Sequence, residues 1–255
     1  FRNVTGVQTC ALPILNKTLN KGTSWTAISS AYSTLVALAV GRSDTNYIYA
    51  ASSSQLNKTT NNGTSWTNIT TGLPSASITY LAVSPTNAQT LYVTFSGYGS
   101  QKVFKTTNGG SSWTNVSTGL PSIPVNCVTV IPNSANEVYV GTDVGVYHSS
   151  DGGTSWEQFS TGLPNVVVNE LDFHTSSNKL RAATYGRGLW ETPINVNSTS
   201  IAGVVFNDAN GNGIKDAGET GLSNWKIKMS GAMTDSVLSG SSGDYGFYNL
   251  SAGSY

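Results

Sequence analysis

The sequence predicts an all-β chain assembled from a repeated four-stranded unit, and three observations carry that reading. Surface polarity comes from Ser, Thr, Asn and Gly, which suit strands and tight turns more than helices, and only 10% of residues are charged against roughly 25% in an average soluble protein. One turn is written four times: TLNKGTSWTAIS from Thr18, TTNNGTSWTNITTGLP from Thr59, TTNGGSSWTNVSTGLP from Thr106 and SSDGGTSWEQFSTGLP from Ser149. Its tryptophans, Trp25, Trp66, Trp113 and Trp156, are separated by 41, 47 and 43 residues, the length of one blade of a β-propeller.

The intervals fill in a constant order. An apolar-x-apolar strand comes first, LAV from Leu38, LAV from Leu81, VTV from Val128 and LDF from Leu171. A second follows a polar turn, IYA from Ile48, LYV from Leu91, VYV from Val138 and LRA from Leu180. The third leads into the repeated turn, LNKT from Leu56, VFKT from Val103, VYHS from Val146 and LWET from Leu189, and the fourth begins at the tryptophan. Period-two alternation between turn residues predicts an antiparallel meander.

The pattern Ser/Thr-x-Asp-x-Gly-x-Ser/Thr-Trp is complete at Ser149, Asp151, Gly153, Ser155 and Trp156. It resembles the Asp-box (BNR) repeat of sialidases, xyloglucan-cleaving glycosidases, sortilin and secreted bacterial propellers. The other copies are Thr18, Asn20, Gly22 and Trp25; Thr59, Asn61, Gly63 and Trp66; and Thr106, Asn108, Gly110 and Trp113. Asparagine replaces aspartate in these three, and either side chain can accept backbone N–H groups in a turn. A catalytic acid could not become an amide in three of four copies and still transfer protons, so the box reads as structural.

In such a meander the loops between second and third strands share a face with the blade-to-blade connections, opposite the boxes. The candidate ligand residues on that face are Tyr98, Asp143, Tyr185 and Arg187. GTDVGVY around Asp143 is similar to the stretch holding a catalytic aspartate in the xyloglucan-cleaving family, except that Val146 follows Gly145. Glycoside hydrolysis normally needs two carboxylates, and the corresponding loops of the other blades supply none. A sialidase would need an arginine triad, whereas Arg42, Arg181 and Arg187 lie in different strand contexts. Asp143 is therefore the one weak catalytic candidate.

Several classes are excluded or disfavoured by composition. Thirteen positive and thirteen negative charges cancel, which leaves no basic footprint for nucleic acid. The longest apolar run, near TLVALAV, is too short to span a bilayer. Val4 to Ile14 resembles a translated sequencing adapter, so residues 1–14 are expected to be non-native and Cys10 with them. Cys127, in the alternating NCVTVI, reads as a small buried hydrophobe.

The repeat stops after the fourth copy, where Pro193 stands in place of the next turn. Expected boundaries are a propeller fragment over 15–194, a polar linker over 195–200 and a second domain over 201–255. That tail contains Asp208, Asn210, Asn212, Gly213, Asp216 and Glu219 in the pattern Asp-x-Asn-x-Asn-Gly-x5-Glu, a calcium loop in which Ile214 offers its carbonyl. Its flanks, IAGVVF and WKIKM, read as strands rather than helices. The combination resembles the SdrD B-like and Cna B-like β-sandwich repeats of bacterial adhesins, which implies bound Ca2+ and a sandwich cut before its last strand.

The expectation is thus an incomplete β-propeller of four-stranded antiparallel blades plus a truncated β-sandwich. The implied protein is extracellular or at the cell surface and non-catalytic, binding carbohydrate or an extracellular protein, with the sandwich as a calcium-stabilised stalk. The alternative is a sialidase- or xyloglucanase-like glycoside hydrolase whose catalytic blades lie upstream. The visible blades are expected to form an open series rather than a closed ring.

Overall fold

A computed structural model describes residues 15–29, 34–132, 134, 136–194, 199–232, 234–250 and 253–255; the adapter-like segment 1–14 lies outside them. The described residues form strands and turns with no helix, hence none long and apolar enough to cross a membrane. The chain divides into two compact units, 1–194 and 195–255.

The first unit is a series of antiparallel sheets in chain order. It opens with the pair β1 (Leu15–Lys17) and β2 (Thr26–Ser29). Three four-stranded meanders follow: β3 (Ala37–Val40), β4 (Ile48–Ala51), β5 (Leu56–Thr59) and β6 (Thr67–Asn68); β7 (Ile78–Val83), β8 (Leu91–Phe95), β9 (Val103–Thr106) and β10 (Thr114–Asn115); β11 (Val125–Val130), β12 (Val138–Thr142), β13 (Gly145–Ser149) and β14 (Glu157–Gln158). The series ends with three strands, β15 (Val168–His174), β16 (Lys179–Thr184) and β17 (Gly188–Pro193). The first strands lie side by side, β3 against β7, β7 against β11 and β11 against β15. β2 pairs with β1 and not with β17, so the Trp25 segment does not complete the last sheet, and among the described residues the series is open.

Burial follows strand position. The second strands β4, β8 and β12 are buried along their whole length, whereas β6, β10 and β14 are exposed. Each second strand is covered on both faces, and this is why IYA, LYV and VYV carry apolar or aromatic residues at every position. One core joins Leu56, Ile69, Leu81, Val93, Phe95 and Phe104, and the next joins Val103, Val125, Val128, Val140 and Trp156. Each such fully buried aliphatic contributes about 1.5–3 kcal/mol. Cys127 is wholly buried, and burial pushes its thiol well above the ordinary range.

The strand pattern hides a repeated irregularity. Register shifts fall between Ile78 and Tyr80, Val125 and Cys127, and Val168 and Glu170, one bulge near the start of each of β7, β11 and β15, whereas β3 pairs with β4 without a shift. The bulged residues reach across sheets: Thr79 Oγ1 donates to Val125 O at 2.6 Å, and Asn126 Nδ2 to Val168 O at 3.3 Å. Tyr80 donates to Glu170 two sheets away; burial first, then this bond, raises its phenol.

The second unit contains two antiparallel pairs, β18 (Thr199–Val204) with β21 (Asp244–Leu250), and β19 (Lys226–Met229) with β20 (Asp235–Leu238). Met229, Phe247 and Leu250 form its small core, with Ile227, Val237 and Tyr245 packed against them. The expected linker needs one correction: Thr199 and Ser200 belong to β18, where Thr199 pairs with Leu250, because a polar but β-compatible stretch takes the strand's ladder. Residues 195–198 lie outside the described ones.

Candidate functional site

The boxes share one pattern of bonds to backbone N–H groups. In the second copy Thr59 Oγ1 accepts Gly63 N–H at 2.9 Å, and Asn61 Oδ1 accepts Ser65 N–H at 2.9 Å. Thr18, Thr106 and Ser149 do the same for Gly22, Gly110 and Gly153 at 2.8, 2.9 and 2.7 Å. The tryptophans then reach back to the preceding sheet: Trp66 Nε1 donates to Ile28 O at 2.8 Å, Trp113 to Ile69 O at 3.0 Å and Trp156 to Val116 O at 2.7 Å. These tryptophans thus latch each four-stranded sheet to the one before it. A second latch was not read from the sequence: Lys17 Nζ donates to Asn62 O at 3.0 Å, Lys58 to Gly109 O and Lys105 to Gly152 O at 3.0 Å. Its signal was present in the lysines of LNKT, LNKT and VFKT at one register position.

The opposite ends of the sheets carry the candidate ligand loops. Tyr98, between β8 and β9, is 77% exposed and Tyr185, between β16 and β17, is 75% exposed. Arg187 is exposed in the same loop as Tyr185, and its carbonyl accepts the Trp190 indole N–H at 3.0 Å. Asp143, in the β12–β13 turn between those loops, is half-buried and accepts Asn126 Nδ2–H at 3.0 Å. Lys102, 1% exposed, donates to the carbonyls of Ser96 and Gly97. Burial lowers its ammonium below the ordinary lysine range, and the charge of Asp143 opposes that shift. Asn126 and Lys102 thus shape the face from beneath, and neither was predicted, since a bulge residue and a buried lysine leave no pattern.

In the second unit the six predicted metal ligands lie within one loop, where several of them hydrogen-bond one another. Asp208 Oδ1 accepts Gly211 N–H at 2.8 Å and Oδ2 accepts Gly213 N–H at 2.8 Å. Asn210 Nδ2 and Asn212 Nδ2 both donate to Asp216 Oδ2, at 2.7 and 2.8 Å, and these two bonds hold the Asp216 carboxyl below its ordinary value. Glu219 spans the loop, Oε1 accepting Ala209 N–H at 2.9 Å and Oε2 accepting Asp216 N–H at 3.0 Å. Ile214 N–H donates to Asn212 Oδ1 at 2.7 Å, a bond that does not engage the Ile214 carbonyl. Among the described residues no three His, Cys, Asp or Glu side chains are grouped as metal ligands. The donor set fits a hard cation through oxygen atoms of both amides and carboxylates.

Residues 199–255 match the SdrD B-like domain family. The chain is similar to solved GH74 enzymes: an ancestral GH74 enzyme at 25% identity and TM-score 0.53, aligned over 68% of this chain and 25% of that one. The GH74 enzyme of Niastella koreensis aligns at 19% identity and TM-score 0.54, over 68% and 31% of the two chains. The GH74 xyloglucanase of Xanthomonas campestris aligns at 17% identity and TM-score 0.52, over 71% and 33%. The chain therefore spans about a quarter to a third of the length of these enzymes. No curated protein gives a significant match.

Proposed function

We propose that this chain is part of an extracellular surface protein whose propeller binds carbohydrate or an extracellular protein through the loop face, with the SdrD B-like unit as a calcium-stabilised stalk. The observation that carries the reading is the pair of phenol rings, Tyr98 and Tyr185, held largely in solvent on the face that also carries Arg187 and Asp143. Exposed rings offer an apolar stacking surface with a polar tip, the combination that suits a sugar ring or a peptide. The likeness to enzymes including a xyloglucanase supports a glycan ligand. Calcium, when bound, would supply a central charge drawing in the oxygens of Asp208, Asn210, Asn212, Asp216 and Glu219 together with the Ile214 carbonyl.

A glycoside hydrolase is the second reading, favoured by Asp143 and by the similarity to GH74 enzymes. Among the described residues, the loops between second and third strands carry Asp143 as their sole carboxylate, and Asn126 hydrogen-bonds it. Acid–base hydrolysis needs a second carboxyl group. Calorimetric titration with xyloglucan oligosaccharides separates the readings. Saturable binding weakened by Tyr98→Ala and Tyr185→Ala, without turnover, supports the binding face, whereas hydrolysis that vanishes in Asp143→Asn carries the enzyme instead.

A further inference from the structure

Four asparagines in the sequence precede a glycine: Asn62, Asn108, Asn210 and Asn212. An asparagine so placed can lose its amide when the next backbone nitrogen attacks its Cγ, and a glycine, having no Cβ, crowds that nitrogen least. The two pairs in the boxes are poorly set for this reaction. Gly63 N–H donates to the Thr59 hydroxyl and Gly109 N–H to Gln89 O, acceptors too weakly basic to take the proton. A Cβ at Gly63 would meet Ile28 at 2.4 Å, so the surroundings are tight as well. The two pairs in the 208–219 loop stand in the open. Asn210, Gly211, Asn212 and Gly213 are exposed, and nothing lies within 4 Å of where a Cβ on either glycine would stand.

The same loop supplies a base and an oxygen donor to each pair. Asp208 meets both attacking nitrogens: Oδ1 accepts Gly211 N–H and Oδ2 accepts Gly213 N–H, each at 2.8 Å. The amide oxygens under attack are held as acceptors, Asn210 Oδ1 by Asn212 N–H at 3.0 Å and Asn212 Oδ1 by Ile214 N–H at 2.7 Å. Such donors stabilise the charge that develops on a carbonyl oxygen as a nucleophile adds, and a carboxylate within hydrogen-bond reach can take the nucleophile's proton.

We infer that Asn210 and Asn212 are self-modification sites, at which the loop converts its two amides to aspartate and isoaspartate through a succinimide. Asp208 takes the N–H proton of Gly211 or Gly213 as that nitrogen forms a bond to the asparagine Cγ. The Cγ–Nδ2 bond then breaks, and the amide nitrogen collects the proton and leaves as ammonia. Water adds to one carbonyl of the ring and opens it, returning a hydrogen to the glycine nitrogen. Opening at Cγ gives aspartate; opening at the main-chain carbonyl gives isoaspartate, whose backbone is longer by a carbon. On the calcium reading of this loop, each aspartate adds a charged ligand and so raises affinity, while each isoaspartate breaks the ligand spacing. The modification itself does not depend on that reading.

The test incubates the intact chain in neutral buffer with chelator at physiological temperature and maps the acid-for-amide mass gain by peptide mass spectrometry. Asn210 and Asn212 are expected to convert about tenfold or more faster than Asn62 and Asn108. Asp208→Asn is expected to slow the loop by about tenfold or more while the box asparagines keep their rates. Equal rates at loop and boxes in the unsubstituted chain overturn the inference, and that comparison decides if Asp208→Asn fails to fold. An unchanged or faster loop in a folded Asp208→Asn chain also overturns it, since the bond to Asp208 would then be idle or would shield the nitrogen.

Discussion

Asp151 Oδ2 accepts the hydroxyl of Ser155 at 2.6 Å, whereas in the corresponding pairs of the other boxes the amides of Asn20, Asn61 and Asn108 donate to Ser24, Ser65 and Ser112 at 2.8, 2.9 and 2.8 Å. Asp and Asn interchange because the serine hydroxyl can turn round: it donates to a carboxylate and accepts from an amide. The remaining contacts, from the Ser149 hydroxyl and the Ser155 N–H to Oδ1, are common to both.

That relationship fixes a pH dependence. The Ser155 hydroxyl first, then the Ser155 N–H and the Ser149 hydroxyl, hold the Asp151 carboxyl well below its ordinary value of 3.8. A depressed folded value stabilises the fold above the unfolded value and loses that contribution as pH falls below about 4. Asp151→Asn is expected to leave the midpoint at pH 7 nearly unchanged and to flatten the loss between about pH 4 and 2. Thermal melts of both proteins across that range check it; equal acid slopes would refute it.

The tryptophans should divide by burial. Trp156 is 8% exposed and donates to Val116 O, while Trp25 is 63% exposed. Trp156→Phe keeps most of the ring and orphans one carbonyl, costing about 1–2 kcal/mol. Trp156→Ala is expected to cost about 3–5 kcal/mol. Trp25→Ala should change stability by less than about 1 kcal/mol. Urea unfolding of the three variants measures the order.

Gly110 tests the contact beneath the box. Its φ is +84°, and an added Cβ would stand 2.6 Å from Ile69 Cδ1 and 2.8 Å from Ile69 Cβ. Gly110→Ala is expected to cost about 2–4 kcal/mol from backbone strain and the clash together. Gly22 has φ +92° and nothing within 4 Å of where a methyl group would stand, so Gly22→Ala should carry the strain alone, about 1 kcal/mol. Combining Gly110→Ala with Ile69→Ala should recover part of the first cost, a non-additivity that a double-mutant cycle reads directly.

The period of Trp25, Trp66, Trp113 and Trp156 made the sheets and their order legible, since each strand is short and bounded by turn residues. The latches were less so. Lys58 and Lys105 stand at one register position, but only the juxtaposition of successive sheets brings their ammonium groups to Gly109 O and Gly152 O. The bulges at Thr79 and Asn126 left no trace, because one extra polar residue near a strand's start is indistinguishable from its turn. Asp143 was found by its likeness to a family motif, but its partner Asn126 comes from a neighbouring strand, β11, that alternation alone cannot align with the loop. The proposed calcium loop carries the most compact signal in the sequence, since all its expected donors lie within one short segment.

Calcium dependence is expected to centre on Glu219. Its two oxygens already bind the N–H groups of Ala209 and Asp216, so it ties the loop's start to its end. The same two oxygens are what the twelfth loop position normally gives to the ion. Three carboxylates, Asp208, Asp216 and Glu219, with two neutral amides suggest modest affinity, roughly 0.1–1 mM as in extracellular modules. At about 2 mM calcium and a dissociation constant of about 0.1 mM, linkage stabilises the second unit by about 1.8 kcal/mol. Glu219→Gln exchanges an acceptor for a donor at one of those N–H contacts and removes a ligand charge. Asp216→Asn changes a position whose contact with the ion is often through water. Melting of the whole chain with calcium and with chelator is therefore expected to show a raised midpoint for the second transition, abolished by Glu219→Gln and reduced less by Asp216→Asn. A midpoint indifferent to calcium in the unsubstituted chain would reduce the loop to a hydrogen-bonded turn.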